Sequence, residues 1–296
     1  MPISFRRTPA PPTTRSIVVD GRPLRIDVRP GTGRTPPLLL VNGVGASLEL
    51  LQPFVDALDP ALEVIRFDVP GVGGSPLPGL PYRFTGLSRL MAGLLSELGH
   101  DEADVLGISW GGGVAQHFAL LHRHRCRRLV LVATATGSLM VPARPAVLAR
   151  MVTPRRYLDR GYLRDNAASL YGGSARSQPD RISALMHAEN RVGPALGYVY
   201  QLAAGAGWTS LPFLPLIRQP TLILSGDDDP LIPLANARLM HSLIRRSQLH
   251  VYHGGHLGLV TEAAELAPVV GRFLAADVPG GARDRRSAAA QDGEPG

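Results

Sequence analysis

The chain has 296 residues, 45% of them hydrophobic and 19% charged, with a formal net charge of +7. This is a globular composition long enough to bury a sizeable core. It offers no run of 18 apolar residues to span a membrane, and no apolar stretch ending in a small-residue cleavage site follows Arg6 and Arg7. A single cysteine, Cys126, excludes an intramolecular disulfide and a multi-cysteine metal site. Every basic residue is arginine. The dense groups are Arg123–Arg128 and Arg283–Arg286, the first placed where a helix hands over to a strand and read as solvated connection residues. No recognition motif accompanies this charge, so no nucleic-acid partner is expected.

In chain order, residues 1–14 are rich in Pro, Thr and Arg and read as a flexible N-terminus. The alternating segments Ser16–Asp20 and Leu24–Val28 lie around Asp20-Gly21, which predicts a β-hairpin. The uninterrupted run Leu38–Val41 predicts a buried strand. Helical spacing over Leu48–Leu58 is followed by a strand at Leu62–Phe67 and a helix over Leu87–Leu98. Val105–Ile108 is a short buried strand, Val114–His122 a helix, and Leu129–Ala133 a further strand. The strand signal then stops. Residues 137–215 carry helical patches at Val147–Met151, Ile182–Arg191 and Tyr198–Ala204, and read as an inserted helical cap. The sheet pattern resumes with strands at Thr221–Ser225 and Leu249–Tyr252 and helices over Ala235–Ile244 and Leu266–Ala275. Residues 15–136 and 216–276 therefore form an α/β core, and residues 277–296 read as a disordered tail.

Chemistry concentrates at strand ends. Gly107-Ile108-Ser109-Trp110-Gly111 joins a predicted strand directly to a predicted helix. A serine exposed on such a turn needs glycine on both sides, and the context favours a nucleophile over a helix-capping serine. A serine hydroxyl needs a base, and the base needs an orienting carboxylate. In the α/β-hydrolase fold, a mostly parallel sheet flanked by helices, the acid and then the histidine follow the serine in the chain. Asp227-Asp228-Asp229 follows the strand Thr221–Ser225. Asp229 is favoured as the acid, Asp228 is the alternative, and Asp227 is read as capping the turn. After the last strand, His256 is favoured as the base over His253. The oxyanion hole is expected from the backbone N–H groups of Trp110 and of Val44, in the loop Asn42-Gly43-Val44-Gly45. Asn42 stands where many chains of this fold have His, and is read as holding the loop. No metal-ligand spacing is visible, and neither metal nor cofactor is expected.

Several stretches carry a narrower resemblance. Residues 39–50 (LLVNGVGASLEL), 67–75 (FDVPGVGGS), 80–84 (LPYRF) and 104–113 (DVLGISWGGG) are similar to the intracellular medium-chain-length poly(3-hydroxyalkanoate) depolymerases. So are residues 154–159 (PRRYLD), 170–173 (LYGG), 207–212 (GWTSLP) and 226–233 (GDDDPLIP). The resemblance spans roughly residues 15–275 and places Ser109, Asp229 and His256 on the family's triad positions. It implies hydrolysis of a bacterial storage polyester to 3-hydroxy acids or oligomers at a cytoplasmic granule. The basic C-terminal tail has no counterpart in it. The triad equally serves a small-molecule carboxylesterase, a lactonase or a carbon–carbon-bond hydrolase, and a non-catalytic granule-binding relative is the remaining alternative. Met140 and Trp208 are candidate substrate contacts. The apolar segment Leu139–Met151 either packs the cap on the core or meets an apolar substrate or granule.

Overall fold

The computed structural model describes residues 13–188 and 191–276. The segments read as a flexible start and a disordered tail lie outside these residues, apart from Thr13 and Thr14. Those two belong to the first strand, where they pair with Val28 and Asp27, and the Thr14 hydroxyl donates to Asp27 Oδ1 at 3.2 Å.

Eight strands form one sheet in the order β1-β2-β4-β3-β5-β6-β7-β8. They are β1 (Thr13–Val19), β2 (Arg22–Arg29), β3 (Leu38–Val41), β4 (Val64–Phe67), β5 (Ala103–Ile108), β6 (Cys126–Val132), β7 (Thr221–Gly226) and β8 (Ser247–Tyr252). β1 and β2 form the expected hairpin, with Asp20 and Gly21 both at positive φ, the geometry that a two-residue primed turn requires. β2 is antiparallel to β4, and every pairing from β4 onward is parallel.

The apolar runs are explained by burial on both faces. Leu38, Leu40, Leu106, Ile108, Val130, Val132, Leu222 and Leu224 point to one face. There they meet α1 (Gln52–Ala57) and α11 (Ala263–Ala275) through Phe54, Val55, Leu266, Val270 and Leu274. Leu39, Val41, Val105, Leu129, Leu131 and Ile223 point to the other. On that face lie α2 (Phe84–Glu97), α3 (Trp110–Leu121) and α9 (Leu234–Leu243), with Leu87, Met91, Val114, Phe118 and Met240 in the core. Each such side chain withdrawn from water contributes on the order of 1.5–3 kcal/mol.

The Arg123–Arg128 group is not simply solvated. Arg125 donates to the carbonyls of Ala92, Asp101 and His100, binding the end of α2 to the start of β6. Arg127 and Arg128 are strand residues: Arg127 Nε donates to the buried Asp104 at 2.9 Å, and Arg128 is itself buried. Asp104 is fully buried, so the Arg127 guanidinium meets a carboxylate that would otherwise be unpaired.

Between β6 and β7 the described residues are helical apart from their connections. They form α4 (Pro145–Met151), α5 (Arg155–Leu158), α6 (Arg160–Tyr171), α7 (Pro179–Ala188) and α8 (Ala195–Gly205), with 3-10 turns at Gly173–Arg176 and Leu211–Leu216. The helical patches expected around 147–151, 182–191 and 198–204 correspond to α4, α7 and α8. α6 lies where the sequence reading has no helix. Asp159 caps it by accepting from Tyr162 N at 2.9 Å, and it packs on α7 through Leu163, Ala167 and Leu170. Within the apolar segment after β6, Val147 is buried while Leu139, Val141 and Leu148 are exposed. Among the described residues no helix is long and apolar enough to cross a membrane. The remaining helix, α10 (Gly258–Thr261), follows β8 directly.

Chain reversal places the site. β3 has β4 on one side and β5 on the other, so the connections leaving β3 and β4 run in opposite directions along the sheet. A crevice opens at the carboxyl ends of strands at such a switch point. Val41 and Gly107 are partners there, which sets the loops after β3 and β5 side by side.

Candidate active site

Ser109 sits between β5 and α3 at φ 54° and ψ −121°, a left-sided conformation rare for a residue with a side chain. The two flanking glycines permit it. A Cβ on Gly107 would lie 2.3 Å from the Gly111 carbonyl oxygen, and one on Gly111 would lie 2.2 Å from that of Val41. Hydrogen bonds hold the strained turn from both sides. Ser109 N donates to Val132 O at 2.9 Å, and the Thr134 hydroxyl donates to Ser109 O at 2.6 Å.

The favoured histidine and the favoured aspartate both reach this serine. His256 Nε2 is 3.0 Å from Ser109 Oγ, and His256 Nδ1 is 2.8 Å from Asp229 Oδ2. Asp229 Oδ1 accepts the Leu231 and Ile232 N–H groups at 2.9 and 2.8 Å, which leaves Oδ2 for the imidazole. His256 is fixed by its own backbone, whose N–H donates to Tyr171 O at 2.7 Å, and its ring stacks on the Tyr171 ring at 6.2 Å. This contact from α6 has no signal in the sequence pattern. The line of three side chains can move a proton from the serine hydroxyl to the imidazole and stabilise the cation that forms.

The neighbouring candidates face elsewhere. Asp228 accepts from Gly173 N at 2.7 Å and from Arg176 Nε at 2.6 Å, and the Arg176 guanidinium holds its carboxyl below the usual range. Asp227 accepts from Gly254 N at 3.1 Å and pairs with His253 Nδ1 at 3.0 Å. That pairing lowers the Asp227 pKa and raises that of His253, whose side chain is 97% exposed. Substituting His253 with alanine is therefore expected to leave ester turnover within about twofold, because an exposed pair contributes little. Steady-state kinetics of the purified variant check this, and a large loss of kcat would move the base to His253.

Around Ser109 the loop after β3 closes in. Asn42 Nδ2 donates to Ser47 O at 2.6 Å and Ala46 N to Gly43 O at 3.2 Å, shaping a tight turn. A Cβ on Gly43 would stand 4.0 Å from Ser109 Oγ, in the space beside that oxygen. Trp110 opens α3, so its N–H has no carbonyl four residues earlier within the helix. A cavity of about 30 Å³ beside Ser109 is lined by Gly43, Val44, Tyr171, Met186 and His256. A second, of about 200 Å³, runs from Ser109 between Phe84, Trp110, Met140, Met151, Trp208 and Ile232. Met140 and Trp208, singled out from the sequence, thus line the same apolar space. Phe84, Met151 and Ile232 join them from elements far apart in the chain. Trp208 is held in place: its ring packs 4.7 Å from that of Phe84, and its Nε1 donates to His117 Nδ1 at 3.2 Å.

The sequence model of the α/β-hydrolase fold matches residues 36–263. A poly(3-hydroxyalkanoate) depolymerase of Ectopseudomonas oleovorans is 50% identical over 267 residues, covering 90% of this chain and 94% of that protein. A 2-hydroxymuconate semialdehyde hydrolase of Pseudomonas sp. strain CF600 is 32% identical over 258 residues, covering 81% of this chain and 87% of the relative. Among solved structures, the enol-lactonase of Burkholderia xenovorans LB400 superposes with a TM-score of 0.75 at 24% identity, over 88% of this chain and 99% of that one. At that identity the superposition establishes the fold alone.

Proposed function

The chain belongs to the α/β-hydrolase family, and within it to the poly(3-hydroxyalkanoate) depolymerases, and from that membership we propose that it cleaves the ester bonds of a medium-chain-length storage polyester, with Ser109, His256 and Asp229 as its triad. The observation that carries the proposal is the hydrogen-bonded line from Ser109 Oγ through His256 to Asp229, at 3.0 and 2.8 Å, beside an apolar cavity of about 200 Å³.

Ser109 Oγ attacks the ester carbonyl as its proton passes to His256 Nε2. Asp229 stabilises the imidazolium through Nδ1. The N–H groups of Val44 and Trp110 receive the oxyanion, each contributing about 3 kcal/mol to lowering the barrier. The imidazolium then protonates the leaving alcohol oxygen, which is the hydroxyl end of the next monomer. Water, deprotonated by the same histidine, attacks the acyl-enzyme and frees the 3-hydroxy acid or oligomer.

Residues 137–215 act in this reading as a cap that selects an acyl chain longer than methyl, which Met140 and Trp208 contact. Apolar exposure beside the cavity supports a water-insoluble substrate. Met140 lies between exposed Leu139 and Val141, and Met151 precedes exposed Val152. The same surface suits a place on polyester granules in the cytoplasm.

The test is purified protein on medium-chain polyester, short-chain polyester and soluble p-nitrophenyl esters. Release of 3-hydroxy acids from the first is expected. Turnover of soluble esters with none from either polymer would leave a small-molecule esterase. A finer check is Met140→Trp, which fills part of the cavity. It is expected to lower kcat/KM for an octanoate ester by about tenfold and that for an acetate ester by less than twofold, the scale of lost methylene contacts. Equal effects on both esters would remove Met140 from the acyl-chain site.

A further inference from the structure

The loop that carries Val44 to Ser109 is gripped by residues that arrive from the helical insert. The Val44 carbonyl oxygen accepts two hydrogen bonds, from the Tyr157 hydroxyl at 2.8 Å and from Arg156 Nη2 at 3.1 Å. The N–H at the other end of the same peptide unit, on Gly45, donates to Gln201 Oε1 at 2.6 Å. Gln201 also reaches the other half of the site, since its backbone carbonyl accepts from Trp110 Nε1 at 2.9 Å. One residue of α8 therefore touches both Gly45 and Trp110, which lie 156 and 91 residues away in the chain.

This contact is buried. Gln201 and Arg156 are 0% and 1% exposed. A Cβ on Gly45 would lie 2.6 Å from the Tyr157 ring and 2.9 Å from that of Tyr198, so loop and insert are in direct contact at this residue. Among the described residues Arg156 forms no ion pair with a carboxylate. Its Nη1 donates to the Tyr198 hydroxyl at 2.6 Å, which in turn donates to Met151 O at 2.5 Å. A guanidinium buried without a counter-charge is a costly element to keep in a fold for stability alone. Here its charge points at a peptide carbonyl next to the nucleophile.

We propose that Gln201, Arg156 and Tyr157 are positioning residues that clamp the Val44–Gly45 peptide and the Trp110 ring, so that the two N–H donors of the oxyanion hole come into register only when the insert is seated on the core. The proposal rests on Ser109 as nucleophile and on Val44 and Trp110 as donors. With the 44–45 peptide pinned at its carbonyl and at its N–H, it cannot rotate, and the preceding N–H of Val44 keeps its aim. Without the pins the loop is free to tilt, and a misplacement of about 1 Å costs on the order of 10²-fold in rate. The loss falls on the transition state, where the oxyanion exists, and not on ground-state binding.

The test uses Gln201→Met, Gln201→Glu and Tyr157→Phe of the full chain, a soluble p-nitrophenyl ester, and an alkyl trifluoromethyl ketone as tetrahedral probe. Gln201→Met is expected to lower kcat by about 10- to 100-fold and to raise the ketone Ki by the same factor, with KM within about twofold of wild type. Gln201→Glu keeps an acceptor for Gly45 N and is expected to recover most of the loss. Tyr157→Phe removes one of two donors to Val44 O and is expected to lower kcat by about three- to tenfold. Should Gln201→Met fail to fold by circular dichroism, Tyr157→Phe decides alone. Folded variants with kcat and ketone Ki unchanged would overturn the clamp, as would parallel changes in KM that account for the whole effect. A wild type that turns over no ester would overturn the nucleophile assignment and the clamp with it. Wild-type turnover of the soluble ester without attack on polymer would touch only the polyester reading.

Discussion

Replacing Ser109 with alanine is expected to lower kcat for every ester substrate by about 10⁵- to 10⁶-fold, the scale seen when the nucleophile of such a relay is removed. In the proposed mechanism the alcohol oxygen is the atom that forms the acyl bond, and nothing else at the turn replaces it. The fold has little reason to change. Alanine keeps the Cβ, and the hydrogen bonds that hold the turn use only backbone atoms of residue 109, from Ser109 N to Val132 O and from Thr134 Oγ1 to Ser109 O. What remains is the slow reaction that binding and the oxyanion donors support without a nucleophile. Kinetics with a p-nitrophenyl ester, together with mass spectrometry after a fluorophosphonate, measure both aspects. The wild type should gain one phosphonyl adduct and the variant none. A variant retaining more than about one hundredth of wild-type kcat would place the nucleophile elsewhere.

Asp229→Asn is expected to lower kcat by about 10⁴-fold with little change in KM. The asparagine oxygen can take the place of Asp229 Oδ1, which accepts the Leu231 and Ile232 N–H groups at 2.9 and 2.8 Å. Its amide nitrogen then faces His256 Nδ1 and donates to it. That forces the imidazole proton onto Nε2, opposite Ser109 Oγ, where a base needs a lone pair. Asp228→Asn makes the control. Asp228 is turned to Gly173 N and Arg176, so its substitution is expected to change kcat by less than about threefold. The two variants compared by steady-state kinetics discriminate adjacent residues of the same type. A larger loss at position 228 would reassign the acid.

The comparison of these three aspartates shows where local information stops. Asp227, Asp228 and Asp229 follow the same strand and share nearly the same neighbours in sequence. Their placement after β7 marked the loop as a site, because the carboxyl ends of parallel strands converge on one crevice. Which carboxylate meets the histidine depends on partners supplied from far away: His253 for the first, Arg176 of the insert for the second, and His256 for the third. Asp229 emerged from the loop spacing, but its double acceptance of N–H groups at Oδ1 was visible only in three dimensions.

The helices divide the same way. α2 and α11 each turn a broad apolar face to the sheet, so their periodicity is strong. α6 has Gly161 and Asn166 within it, poor helix formers, and a stripe of mixed size made by Leu163, Ala167, Leu170 and Tyr171. Packing on α7 and the Asp159 cap stabilise it, and neither is a property of its own twelve residues.

By itself, the sequence placed the sheet strands, the break in strand signal after β6, and the serine turn with its candidate acids and bases in chain order. These are local properties: an apolar run that must be buried on both faces, glycines where a Cβ has no room, and polar residues stranded at strand ends. Only the tertiary structure decided that Asp229 and not Asp228 faces His256, that Phe84 and Met151 join Met140 and Trp208 around one cavity, and that Gln201, Arg156 and Tyr157 grip the Val44 loop. Those outcomes depend on contacts between residues as much as 156 positions apart. A buried hydrogen bond between distant segments leaves no periodicity in either of them, so its partners become known only when the chain is folded.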